Sequence, residues 1–294
     1  MLIKVCLLFI CLMHFNAMGQ IMDNNIVEYK NNVFYHFTND ENDKLIIFLH
    51  GGVINPYFKQ EYKNIKLSYL LEGSDIFIEK SLKNNFDILI PITNDSLNWL
   101  INPQQCFDTF KKFITTNDKK YSEIYISGFS DGGTGSFKIF YLNPTYFNGV
   151  IVFNGYPQHR HFSSKVDYSL TTNKKVLFFG TTEDKVIPYE FLLTEYCKQK
   201  VSNSDTYFYL TEGNHSFTTY GEKEISIVYD IINTKKDNTQ NTAIHGFIRN
   251  DSVLNFYKFR RMIVNQYGHG KEFFKINKQQ KKIYKNKQIK SFSN

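Results

Sequence analysis

The stretch "SEIYISGFSDGGTGSFKIFYL", residues 122–142, joins an apolar run to a helix-like segment through a glycine-rich turn. Residues 122–128, with Ile124, Tyr125 and Ile126 in sequence, read as a strand buried on both faces. Residues 134–142 read as a helix that stops before Asn143-Pro144. Between them stands Gly128-Phe129-Ser130-Asp131-Gly132, with Gly133 and Gly135 close behind. A nucleophilic serine on a strained turn fits this string, and so does a plain serine in a glycine-rich loop. The decision rests on what the rest of the chain supplies.

Working outward, the same strand signature recurs. It appears in "VFYHF" at 33–37, "KLIIFLH" at 44–50, "FDILIPI" at 86–92, "GVIVFNG" at 149–155, "KKVLFFG" at 174–180 and "TYFYLTEG" at 206–213. Helical segments fall between these runs. One follows Pro56 over 56–71, and one over 106–115 has Phe107, Phe110 and Ile114 at helical spacing. Another over 189–200 is started by Pro188, and the last covers 222–236. Apolar strands alternating with amphipathic helices predict an α/β fold with a doubly wound, mostly parallel sheet. No fixed-period repeat marks a solenoid or propeller.

Both ends differ from this body. Lys4 precedes an apolar run from Val5 to Met13, and Ala17-Met18-Gly19 places small residues just before Gln20. That is the three-part pattern of a secretory leader, with cleavage expected after Gly19. The run is shorter than the ~20 residues of a membrane span. Cys11 follows Leu8-Phe9-Ile10, bulky residues that do not suit a lipid-anchor cysteine. Export to a secreted or periplasmic location is therefore expected. The chain of 294 residues has net charge +7, but 237–294 carries twelve Lys or Arg against three acids, a balance of +9. The rest of the chain is then −2. The expected organisation is a leader over 1–19, a catalytic body over 20–236 and a basic C-terminal extension over 237–294. The extension could touch an anionic surface, although a solvated, charge-rich terminus is the plainer reading. No nucleic-acid motif is evident. Outside the leader only Cys106 and Cys197 remain, enough for one disulfide but without metal-binding spacing. Aromatic residues make up 17 % of the chain, which reads as a compositional habit before it reads as a carbohydrate-binding surface.

In an open parallel sheet, ligands meet the carboxyl ends of the strands. Four strand ends carry chemistry here. These are His50-Gly51-Gly52-Val53, the Gly128–Gly132 elbow, "GTTEDKVIP" at 180–188, and "TEGNHSF" at 211–217. Serine, acid and histidine thus follow in that order, with Ser130 framed as G-x-S-x-G between a strand and a helix. On these residues the chain resembles the α/β-hydrolase superfamily, in particular its compact serine esterases of the carboxylesterase, feruloyl-esterase and dienelactone-hydrolase type. The resemblance covers roughly 33–236. Gly180, Asp184 and Pro188 match the family's acid turn, with one extra residue between the glycine and the aspartate. That spacing leaves Glu183 as a rival acid.

The resemblance implies a catalytic domain with no large lid, no cofactor and no metal. It implies Ser130 as nucleophile, His215 as base and Asp184 as the acid that orients it. Backbone N–H groups of Asp131 and of Gly52 or Val53 would form the oxyanion hole. His50 and Gly51 would brace that turn, while Gly128 and Gly132 would leave room for the elbow. His159 and His161 fall in a rim loop, 156–173, too short for a lid domain. The expected substrate is a small-molecule or polymer-linked carboxylic ester, sugar-linked or otherwise extracellular. Two alternatives stay open. One is a serine peptidase of prolyl-oligopeptidase type, whose large N-terminal propeller has no room in the residues between Gly19 and Lys44. The other is a non-catalytic binding protein on a hydrolase scaffold. The oligomeric state is not legible in the sequence.

Overall fold

The computed structural model describes residues 25–52, 73–94, 97–156, 167–203 and 205–234. The leader, the helix expected at 56–71, Val53, most of the rim loop with His159 and His161, and the basic extension lie outside the described residues.

Among the described residues, eight strands form one sheet. They are β1 (Ile26–Tyr29), β2 (Asn32–Phe37), β3 (Lys44–Leu49), β4 (Phe86–Pro91), β5 (Glu123–Phe129), β6 (Gly149–Phe153), β7 (Lys175–Thr181) and β8 (Thr206–Thr211). Their order across the sheet is β1-β2-β4-β3-β5-β6-β7-β8. From β4 to β8 all neighbours run parallel, while β1 and β2 are antiparallel at one edge. Among the described residues, five α-helices flank the sheet: α1 (Asp75–Lys83), α2 (Pro103–Thr116), α3 (Asp131–Leu142), α4 (Tyr189–Ser202) and α5 (Glu222–Asn233).

The continuous apolar runs are explained by burial on both faces. Within β3, Leu45, Ile47 and Leu49 point to one face, where α2, α3 and α4 contribute Phe110, Phe137 and Leu192. Ile46 and Phe48 point to the other, against Phe77 of α1 and Val228 of α5. Side chains alternate along a strand, so one sequence run feeds two cores. Much of the aromatic content is spent here. Phe217, in a 3₁₀ turn over Phe217–Thr219, packs against Phe48, Phe129 and Phe153 with ring centroids 5.3, 5.6 and 5.1 Å apart.

Three features depart from the sequence reading. The hairpin strand β1 and helix α1 were not expected. β1 is a short edge strand, turned into β2 by Lys30 and Asn31, both at positive φ. Helix α1 buries Ser81 beside Phe77 and Ile78, and its hydroxyl donates to the Phe77 carbonyl at 2.7 Å. A serine on the inward face blurs the apolar period. Helix α3 begins at Asp131, three residues before the expected start, directly after Ser130. Glycines at 132, 133 and 135 disfavour a helix intrinsically, but close packing at each outweighs propensity. Cys106 is a buried free thiol and not half of a disulfide, and burial pushes it up to about 12.

Trp99, fully buried, lies edge-on to His50 with centroids 4.8 Å apart, and a β-carbon on Gly135 would meet its ring at 2.2 Å. It therefore wedges the loop before α2 between α3 and the end of β3. Trp99→Ala is expected to cost about 3–5 kcal/mol in urea denaturation. A loss below about 1 kcal/mol would show that the wedge carries no such weight.

Candidate active site

The site forms where β3, β5, β6, β7 and β8 end. Ser130 lies between the last residue of β5 and the first of α3, at φ 56° and ψ −120°. For a residue with a side chain this conformation costs on the order of 1–3 kcal/mol. Surrounding contacts impose it. The Ser130 N–H donates to the Phe153 carbonyl at 2.9 Å, and its carbonyl accepts from Thr134 N–H at 3.0 Å. A β-carbon on Gly132 would fall 1.9 Å from the Leu49 carbonyl oxygen, and one on Gly128 2.4 Å from the Gly132 carbonyl. Only glycine fits at either place.

The strained turn aims Ser130 at the loop after β8. His215 Nε2 is 2.8 Å from Ser130 Oγ, and His215 Nδ1 is 2.6 Å from Asp184 Oδ2. Asp184 is 6 % exposed. Its other oxygen accepts the N–H groups of Val186 and Ile187 at 2.8 and 2.7 Å. Burial alone would push this carboxyl up, but hydrogen bonds from His215, Ile187 and Asn154 hold it below its ordinary value. The rival acid is placed elsewhere. Glu183 is exposed, and its backbone N–H donates to the Gly213 carbonyl at 2.8 Å, which ties the acid loop to the histidine loop. Phe129 covers one side of the His215 ring at 5.0 Å.

The turn after β3 abuts the elbow. A β-carbon on Gly51 would sit 3.1 Å from Ser130 Cβ, and Gly52 is left-handed at φ 75°. Asp131, first residue of α3, adjoins the same space, where helix N–H groups favour negative charge. His50 lies beneath the turn, fully buried. Its Nδ1 meets the Gly51 carbonyl at 2.8 Å and its Nε2 meets the Thr93 N–H at 3.2 Å. A carbonyl can only accept and an amide only donate, so the tautomer is fixed: Nδ1 carries the proton. Burial pushes this imidazole down to about 4, only partly opposed by the bond to Gly51. A neutral, immobile ring of this kind serves as a brace for the loop.

Asn154 and Tyr220 also belong to the site and escape the sequence reading. Asn154 Nδ2 donates to Asp184 Oδ2 at 2.6 Å, and the Tyr220 hydroxyl donates to Asn154 Oδ1. The signal was present, since Asn154 stands at the carboxyl end of β6 just as the other site residues end their strands. Among the described residues, no cluster of three or more His, Cys, Asp or Glu is placed to hold a metal ion.

No protein-family model and no curated protein sequence matches the chain. Solved structures do. The esterase Pf2001 of Pyrococcus furiosus aligns with a TM-score of 0.54 at 14 % identity, over 71 % of this chain and 90 % of that one. A thermostable esterase gives 0.54 at 17 % identity, over 72 % and 64 %. Est1E of Butyrivibrio proteoclasticus gives 0.50 at 12 % identity, over 71 % and 98 %. The chain has the α/β-hydrolase fold.

Because His50 is neutral in the fold down to about 4 but titrates near 6.5 when unfolded, acid favours the unfolded chain. Stability from this group is complete above 6.5 and is lost as pH falls toward 4, at up to about 1.4 kcal/mol per pH unit. Urea midpoints measured above and within this window should show a smaller acid loss in His50→Gln than in the wild type. An equal loss in both would mean that His50 is not the group responsible.

Proposed function

We propose that this protein is an exported serine hydrolase that cleaves carboxylic esters, with Ser130, His215 and Asp184 as its catalytic triad. The observation that carries the reading is His215 bridging Ser130 Oγ and Asp184 Oδ2 at 2.8 and 2.6 Å. A serine hydroxyl is a poor nucleophile at neutral pH without such a base. His215 Nε2 takes the Ser130 proton as Oγ attacks the ester carbonyl carbon. Asp184 keeps the proton on Nδ1 and stabilises the imidazolium that forms. The oxyanion would be met by the N–H of Asp131 and by that of Gly52 or Val53, and each such donor is worth about 10²–10³ in turnover. The tetrahedral intermediate collapses as His215 returns the proton to the leaving alcohol oxygen. Water, activated by the same histidine, then releases the acid from Ser130.

The preference for esters over amides leans on two of the structural neighbours, Pf2001 and the thermostable esterase, which are described as esterases. Export and a sugar-linked or other extracellular substrate lean on the leader pattern over 1–19. The basic extension remains a candidate contact for an anionic surface.

A panel of acetyl, longer acyl and aryl esters beside peptide amides tests the reading. Ester turnover should exceed amide turnover, and Ser130→Ala should lose about 10⁴-fold or more in kcat. Comparable amide turnover would favour a peptidase, and turnover unchanged by Ser130→Ala would sink the assignment. Sequencing the exported chain should find Gln20 at its N-terminus. An intact Met1 would contradict the leader.

A further inference from the structure

The node at Asn154 reaches the proposed catalytic groups without touching a substrate position. Three buried side chains, Asp184, Thr181 and Tyr220, meet the Asn154 amide. Asn154, Thr181 and Tyr220 are each 0 % exposed. Asn154 Nδ2 donates both to Asp184 Oδ2, at 2.6 Å, and to Thr181 Oγ1, at 2.9 Å. Thr181 Oγ1 spends its own proton on the Asn214 carbonyl at 2.9 Å. It must therefore accept from Asn154, which fixes the amide nitrogen on the Thr181 and Asp184 side. The amide oxygen is then left for the Tyr220 hydroxyl, which donates to it. The orientation of Asn154 follows from its neighbours and not from an arbitrary choice of amide flip.

Backbone geometry links the same node to the nucleophile. Asn154 sits at φ 44°, held by its N–H on the Phe179 carbonyl at 2.8 Å. The residue before it, Phe153, accepts the Ser130 N–H. Asn154 thus follows the residue that fixes the serine, bonds the acid directly, and reaches the residue preceding the histidine through Thr181. Asp184 Oδ2 divides its lone pairs between His215 Nδ1 and Asn154 Nδ2, two donors at the same 2.6 Å.

We infer that Asn154, held by Tyr220, is a positioning residue that orients the Asp184 carboxylate and sets how strongly it attracts the His215 proton. The inference rests on the triad reading. With four donors on one carboxylate, its charge is shared, and the positive end of the Asn154 amide dipole opposes an imidazolium on His215. Removing the amide leaves Asp184 a more basic partner, so His215 should hold its proton to higher pH. The ionisable groups facing the node are Asp184 and His215, Tyr220 after the 3₁₀ turn, and Glu224 of α5, whose charge reaches Tyr220.

The test is a nitrogen-15 NMR titration of histidine-labelled wild type, Asn154→Leu and Tyr220→Phe, run beside kcat/KM against pH for p-nitrophenyl acetate. In Asn154→Leu the imidazole titration and the acid limb of kcat/KM should both move to higher pH, by the same amount within error. Activity at the optimum should fall about 10- to 100-fold, by analogy with the loss seen when the hydrogen-bond partners of metal-ligating side chains are removed. Tyr220→Phe keeps the ring and should move both readouts in the same direction by less. Should Asn154→Leu fail to fold, Tyr220→Phe decides by the same measurements. An unmoved His215 titration in the folded variants overturns the inference, as does an activity loss that only tracks the folded fraction. The titration needs no substrate, so inactivity of the wild type toward esters would count against the triad reading alone.

Discussion

Gly132 lacks a side chain, and the space its β-carbon would need is filled by the Leu49 carbonyl oxygen 1.9 Å away. That backbone-to-backbone approach fixes the distance between the end of β3 and the start of α3. It presses the turn at Ser130 into φ 56° and sets the Gly51–Gly52 turn beside it. Strain of this kind persists only where the surroundings over-determine it. Here they do so from two sides, through β3 and through the Phe153 carbonyl of β6.

The sheet supplies the rigidity that such a turn demands. Both faces of β3 to β7 are sealed by aromatic and branched side chains, so the strand ends cannot drift relative to one another. The loop bearing His215 would otherwise be the weak member. Phe217, two residues on, is seated among Phe48, Phe129 and Phe153, which ties the loop to the carboxyl ends of β3, β5 and β6. Polar bonds complete the hold, through Thr181 to Asn214 and Glu183 to Gly213. Packing sets the position of the histidine, and hydrogen bonds set its orientation.

Much of this was legible in the sequence, for reasons particular to each residue. Ser130, Asp184 and His215 stand at strand ends marked by apolar runs, and they follow one another in the order that nucleophile, acid and base take in this fold. The proposed acid was the hardest of the three to choose, because "TED" offers two carboxylates. Burial separates them, since Asp184 has backbone donors on one oxygen while Glu183 faces solvent. Asn154 and Tyr220 were harder. Asn154 shares with the other site residues its place at a strand end, but neither it nor a tyrosine in a tyrosine-rich chain carries a motif, and the fold shows that Asn154 holds Asp184 while Tyr220 holds Asn154. Helix α1 escaped because Ser81 interrupts its apolar face, and the early start of α3 because tertiary packing outweighs the poor propensity of three glycines.

If the strained serine is the nucleophile, a reagent that captures activated serines covalently will find it. The protein would be treated with a fluorophosphonate and digested, and the modified peptide located by mass spectrometry, with Ser130→Ala and His215→Ala alongside. One adduct is expected, on the peptide containing Ser130, absent from Ser130→Ala and greatly slowed in His215→Ala. An unlabelled wild type, or an adduct at another residue that survives in Ser130→Ala, would contradict it.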